Sequence, residues 1–76
     1  MEVAQCGTKV LVREMRKRTE RLFVLTHNPD PETDGQVNLS SPTGRDLCGR
    51  KIDDVFSLTL PEGERVECEV LDVLRI

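Results

Sequence analysis

Three cysteines, one histidine and fourteen Asp/Glu are the side chains of this 76-residue sequence that could hold a metal or turn over a substrate. Their spacing argues against both. Cys6, Cys48 and Cys68 are odd in number and far apart, with no Cys-x-x-Cys pair, and His27 brings no second ligand cluster, so neither a zinc site nor a disulfide framework is expected. The sequence instead predicts three reduced thiols, partly buried and acting as small hydrophobes. Ser41, His27 and any aspartate form no recognisable nucleophile motif. Asp53 and Asp54 resemble an acid–base pair, but neighbours in an extended chain point to opposite faces, which suits the polar start of a strand better. No catalytic residue, metal or cofactor is expected. The remaining chemistry is in REMRKRTER, Arg13 to Arg21, with five Arg/Lys in nine residues. Such a run can neutralise phosphates, which makes Arg16, Lys17 and Arg18 a candidate basic contact patch. With no interleaved aromatic, no Trp or Tyr and a net charge of −3, direct nucleic-acid binding is not expected, and a solvated hairpin tip is the better reading.

These side chains must be positioned by one small domain spanning residues 1–76, in which a chain of such length buries only about 60 % of the surface it exposes when unfolded. The charge is uneven: residues 1–27 hold six Lys/Arg against three Asp/Glu, and residues 28–76 hold five against eleven. A polarised surface follows. No run approaches the roughly 18 apolar residues of a membrane span, and MEVAQCGTKV lacks the order of a signal peptide, so a cytoplasmic protein is expected.

Periodicity supplies the elements. TKVLVRE (Thr8–Glu14) is β-branched, with Val10 and Val12 on one face and Lys9 and Arg13 on the other, and RLFVLT (Arg21–Thr26) is a second strand joined to it by a charged hairpin tip. HNPDPETDG reads as a surface loop and QVNL as a short strand at a sheet edge. Ser41 is an N-cap candidate and Pro42 suits the first helical position; Gly49 is the stop, with Leu47 and Cys48 as the apolar residues free to point inward. DVFSLTL alternates Phe56, Leu58 and Leu60 against Val55, Ser57 and Thr59. PEGE is a turn. RVECEVLDVLRI is the last strand, with Val66, Cys68 and Val70 on one face and, because apolar Val70 and Leu71 are adjacent, a bulge or a change to two-sided burial expected near Asp72. The fold class is α+β: an antiparallel sheet of about five strands with one short helix against it.

The run SPTGRDLCGRKIDDVFSLTLPEGERVECEVLDV resembles the C-terminal domain of the bacterial Gre transcript-cleavage factors. The matching positions are Ser41, Pro42, Gly44, Leu47, Gly49, Asp54, Val55, Pro61, Gly63 and Val70, and GTKVLV at Gly7–Val12 is similar to that domain's first strand. The resemblance implies an FK506-binding-protein-like sheet and helix. Three departures stand out: a proline-rich loop from Asn28 to Gly35, Asp53 where relatives often carry glycine, and Cys68 where an aromatic residue is common. The residues ahead of Gly7 are too few for the coiled-coil finger that carries the acidic, Mg²⁺-holding tip in Gre factors. The expectation is therefore the docking part without the cleavage-stimulating part.

What the resemblance implies about function is contact with bacterial RNA polymerase at the coiled coil on the rim of its secondary channel, with Ser40, Ser41 and Pro42 as central contacts and Arg45 nearby; the expectation of a docking part without a finger adds the hypothesis of regulation by competition with other channel-binding factors. The same domain also resembles that of Rnk-type regulators of nucleoside diphosphate kinase. A structural module pairing weakly with a second copy through the edge at Gln36–Leu39 is the reading from a different class. Prolyl isomerase activity is suggested by fold alone and is not expected, since Phe23 and Phe56 are the only aromatics and both suit the core.

Overall fold

The computed structural model describes residues 2–30 and 32–76. Five strands and one helix follow one another as β1 (Thr8–Glu14), β2 (Glu20–Thr26), β3 (Gln36–Asn38), α1 (Pro42–Leu47), β4 (Val55–Thr59) and β5 (Arg65–Arg75). They build one mixed sheet in the order β3-β2-β1-β5-β4. Ladders with β2 on one side and β5 on the other put β1 at its centre. Alternation then decides which side chains are buried: Val10 and Val12 of β1, Phe23 and Leu25 of β2, Phe56 and Leu58 of β4 and Cys68, Val70 and Val73 of β5 share the closed face. Leu47 of α1 and Ala4 of the N-terminal segment cover it.

Of the two arrangements expected near Asp72, the structure has the bulge. Leu11 pairs with Asp72 and Val12 with Val70, leaving Leu71 as the extra residue. It flips the alternation, so that Val70 and Val73, three apart in sequence, are both buried. Gly63, with φ +102°, shapes the β4–β5 turn, where the Leu60 amide donates to the Glu64 carbonyl at 2.7 Å.

Three expectations need correction. The sheet is not wholly antiparallel, since β3 runs parallel to β2. The return is short because the 27–35 segment is organised around Asp30: its carboxylate accepts from the Glu32 amide (2.9 Å) and the Thr33 hydroxyl (3.0 Å), and its own amide donates to Gln36 Oε1 at 2.6 Å. Composition marks a loop there but carries no information about which way the chain re-enters. Cys48 does not point inward; it is the exposed C-cap of a helix shorter than expected, and Leu47 alone of that pair is buried. Cys6 is exposed as well, so of the three thiols only Cys68 behaves as a core residue.

Candidate functional site

The helix start is fastened to β3 through one carbonyl. Asn38 O accepts both the Ser41 amide (3.0 Å) and the Ser41 hydroxyl (2.6 Å), while the same hydroxyl oxygen accepts the Gly44 amide at 3.0 Å. Ser41 is thus the N-cap and Pro42 the first helical residue, as the sequence predicts. The Asn38 side chain reaches in two directions: Nδ2 donates to the His27 carbonyl (3.0 Å) and Oδ1 accepts the Ser40 amide (2.7 Å). Gly44 sits so close behind that a Cβ there would collide with the Asn38 carbonyl and lie 2.9 Å from Leu39 Cα. Helix and strand meet backbone to backbone, which requires glycine at that position.

On its other flank α1 is tied to the end of β4. The Thr43 hydroxyl donates to the Thr59 carbonyl at 2.6 Å, and the Thr59 amide donates to Asp46 Oδ2 at 2.8 Å. These bonds use up the strand's last outward-facing backbone groups. Arg65 Nη1 donates to Thr59 Oγ1 at 3.0 Å. The helix C-terminus is held by Gly49, φ +86°, whose amide donates to the Ala4 carbonyl at 2.7 Å, and Arg50 lays its guanidinium 4.3 Å over the Phe56 ring while Nε donates to the Asp46 carbonyl.

From this frame Ser40, Pro42 and Arg45 project as exposed side chains, with Ser41 half-buried among them. Beside them lies a groove of about 310 Å³ between α1, β3 and the β4–β5 turn, lined by Asn38, Ser41, Pro42, Thr59, Leu60 and Pro61. It runs into a wider depression of about 510 Å³ bounded by Phe23, Asp30, Gly35 and again Pro61. A bidentate ion pair spans its rim from β2 to the β4–β5 turn, Arg21 Nη1 and Nη2 to the two Glu62 oxygens at 3.1 and 3.3 Å. The hydrogen bonds from Arg21 hold the Glu62 carboxyl below the usual carboxylate range.

The basic patch is not one face. Arg16 and Lys17 line a depression with Glu14, Glu64, Arg65 and Glu67, whereas Arg18, at φ +57° in the tip, lines a different one with Arg13, Met15 and Glu69. Acidic residues accompany the cations in both. The Asp53–Asp54 pair is absorbed by the turn into β4: Asp54 Oδ2 accepts the Lys51 amide at 2.8 Å, and Asp53 adopts φ +76°. That left-handed backbone explains why glycine suits this position. Among the described residues no group of three His, Cys, Asp or Glu could hold a metal ion, and no helix is long and apolar enough to cross a membrane. Sequence reasoning missed Glu14. The signal was available, because the alternation that buries Val10 and Val12 continues to Glu14, which is 7 % exposed.

A family model described as "Transcription elongation factor, GreA/GreB, C-term" matches residues 2–75. The chain is 31 % identical over 68 residues to the transcription elongation factor GreA of Chlorobium limicola, covering 87 % of this chain and 42 % of that protein. Among solved structures, the transcription factor Gfh1 superposes with a TM-score of 0.80 at 25 % identity, over 96 % of this chain and 48 % of that one. Gfh1 of Thermus thermophilus gives a TM-score of 0.82 at 23 % identity, over 95 % and 48 %, a likeness that bears on fold. The chain thus spans somewhat less than half the length of the proteins it matches.

Proposed function

Because the chain belongs to the family of the GreA/GreB transcription elongation factor C-terminal domain, we propose that it is a docking module for bacterial RNA polymerase, seated on the coiled coil at the rim of the secondary channel. The observation that carries this reading is the corner at Ser40, Ser41, Pro42 and Arg45. Its backbone is fixed by the Ser41–Asn38–Gly44 bonds and by Thr59, and it stands at the edge of an open groove. A surface already ordered in the free protein loses little conformational entropy on docking. Pro42 and the groove wall at Leu60 and Pro61 offer apolar contact, and Ser40 and Arg45 offer polar contact around it.

The module acts by binding and not by turnover. The hydroxyl of Ser41, which a nucleophile would need free, is committed to the cap. Occupying the rim, the domain would regulate by keeping other channel-binding factors out. Self-association through the β3 edge is the weaker reading, since that edge is three residues long and its Asn38 carbonyl already accepts two bonds from Ser41.

The test is a titration of the labelled protein against core RNA polymerase, with a full-length Gre factor as competitor and a Ser41→Ala, Pro42→Ala double variant as control. Saturable binding that the competitor displaces and the folded double variant lacks is the expected result. Absence of binding at micromolar polymerase, alongside a concentration-dependent dimer, would move the function to self-association.

A further inference from the structure

β1 ends on an unusual note. Its closed face runs Val10, Val12 and then Glu14, and the Glu14 side chain lies opposite Cys68 on β5, with 7 % of its surface exposed. Among the described residues its carboxylate forms no hydrogen bond or ion pair, although charged neighbours are plentiful. Arg13 is on the other face of β1 and pairs with Glu20 at 3.5 Å; Arg65 is turned to Thr59; Glu67 accepts the Ser57 hydroxyl at 2.6 Å. The thiol of Cys68 registers this environment: burial, then the charges of Glu14 and Glu67, push it up to about 11. The side chain is mostly covered, but its oxygens still reach solvent, so the charge is hydrated and has no partner among the described residues.

It is also reachable. Glu14 lines a depression of about 320 Å³ that opens between the hairpin tip and the start of β5, with Glu64, Arg65 and Glu67 among its walls, the Arg65 guanidinium turned away to Thr59, and Val66 as its apolar side. We propose that this depression is a receptor for a cationic side chain, a lysine or arginine presented by a partner protein, whose head pairs with Glu14. A bare metal ion is disfavoured, because the described residues bring no three ligands together there. A side chain fits better: its aliphatic stem can lie along Val66 while its charged head reaches the carboxylate. Arg16 and Lys17 at the rim set a further condition. They repel a lone cation but pair with acids beside it, so the ligand surface carries a basic residue flanked by acidic ones. No residue of the Ser40–Pro42 corner lines this depression, so the inference stands apart from the polymerase reading.

The experiment is an amide-shift titration of the ¹⁵N-labelled protein with N-acetylarginine amide, using N-acetylcitrulline amide as the uncharged isostere. Saturable shifts at Met15, Glu67 and Cys68 with the arginine ligand, absent with citrulline and lost in Glu14→Gln, are expected. Equal responses to both ligands, persistence in Glu14→Gln, or no saturable shift over the range in which the fold is intact would each overturn the assignment. Thermal unfolding provides an independent arm. Glu14→Gln and Glu14→Leu should melt no lower than the parent, since the carboxylate has no partner to lose; a lower melting temperature in both would show an internal structural role and overturn the receptor.

Discussion

The helix corner and the hairpin tip lie at the ends of neighbouring elements and are built on opposite plans. At the corner, Ser41, Thr43, Asp46 and Asn38 each satisfy a backbone group, and α1 meets β3 at contact distance through Gly44. At the tip, Met15, Arg16, Lys17 and Arg18 are exposed, and the backbone is held by three main-chain bonds, Glu14 amide to Thr19 carbonyl at 2.7 Å, Arg18 amide to Glu14 carbonyl at 2.8 Å and Met15 amide to Glu67 carbonyl at 2.9 Å. Side chains are thus spent on holding geometry in one region and left to the solvent in the other. The contrast teaches where specificity can come from: a rigid corner presents a fixed shape, whereas a charged tip presents adjustable charge.

Substitutions test that contrast directly. Gly44→Ala should have the largest effect, because the new methyl meets backbone that cannot swing aside; a loss of about 1–3 kcal/mol, as for an overpacked core, is expected in thermal or urea unfolding. Ser41→Ala comes next, at about 0.5–2 kcal/mol for a lost N-cap, and it should also weaken polymerase binding. A result near zero would mean that Pro42 and the Thr43–Thr59 and Asp46–Thr59 bonds set the helix start without the cap. The double variant Arg16→Ala, Lys17→Ala should stay within about 0.5 kcal/mol of the parent, as for exposed positions outside any network. A larger loss would reveal hidden structure in the tip and erase the contrast.

The smallest effect concerns the Arg21–Glu62 pair, which closes the side of the groove between the two regions. Glu62 titrates lower in the folded chain than its ordinary 4.5 because Arg21 hydrogen-bonds its carboxylate. A depressed acid contributes stability above its unfolded pKa and loses it as pH falls through the lower folded value. Acid titration of stability should therefore be less steep in Arg21→Gln, with the difference confined to the region below the ordinary carboxylate pKa. The pair is exposed, so the difference should be small and should shrink in high salt.

Several features could be read directly from residue order. Ser41-Pro42 announced a capped helix, and the alternation in Val10–Val12, Phe56–Leu58–Leu60 and Cys68–Val70 announced which faces close on the core. The adjacency of Val70 and Leu71 announced a break in the alternation, and the structure makes it a bulge. These are local matters, set by dihedral preference and period. Other features escaped. The parallel direction of β3 depends on how the Asp30 loop folds over, through bonds six residues apart or fewer that composition does not rank. Cys48 was misjudged because one residue of helix length rotates a side chain by about 100° and turns an inward position outward.

The amino-acid sequence by itself determined the sheet-and-helix class, the Gre-type pattern of turns and the rigid Ser41–Pro42 helix start, because each rests on the conformational preferences of a few adjacent residues. Tertiary structure alone decided that Thr59 is the shared anchor of α1, that Gly44 must lack a side chain, that the Arg16–Arg18 cations split between two depressions and that Glu14 is buried beside Cys68. The Gly44 contact depends on how α1 folds back on β3 only six residues earlier, and the others on distances between segments farther apart along the chain; such distances exist only once the sheet has curled and the helix has docked on it.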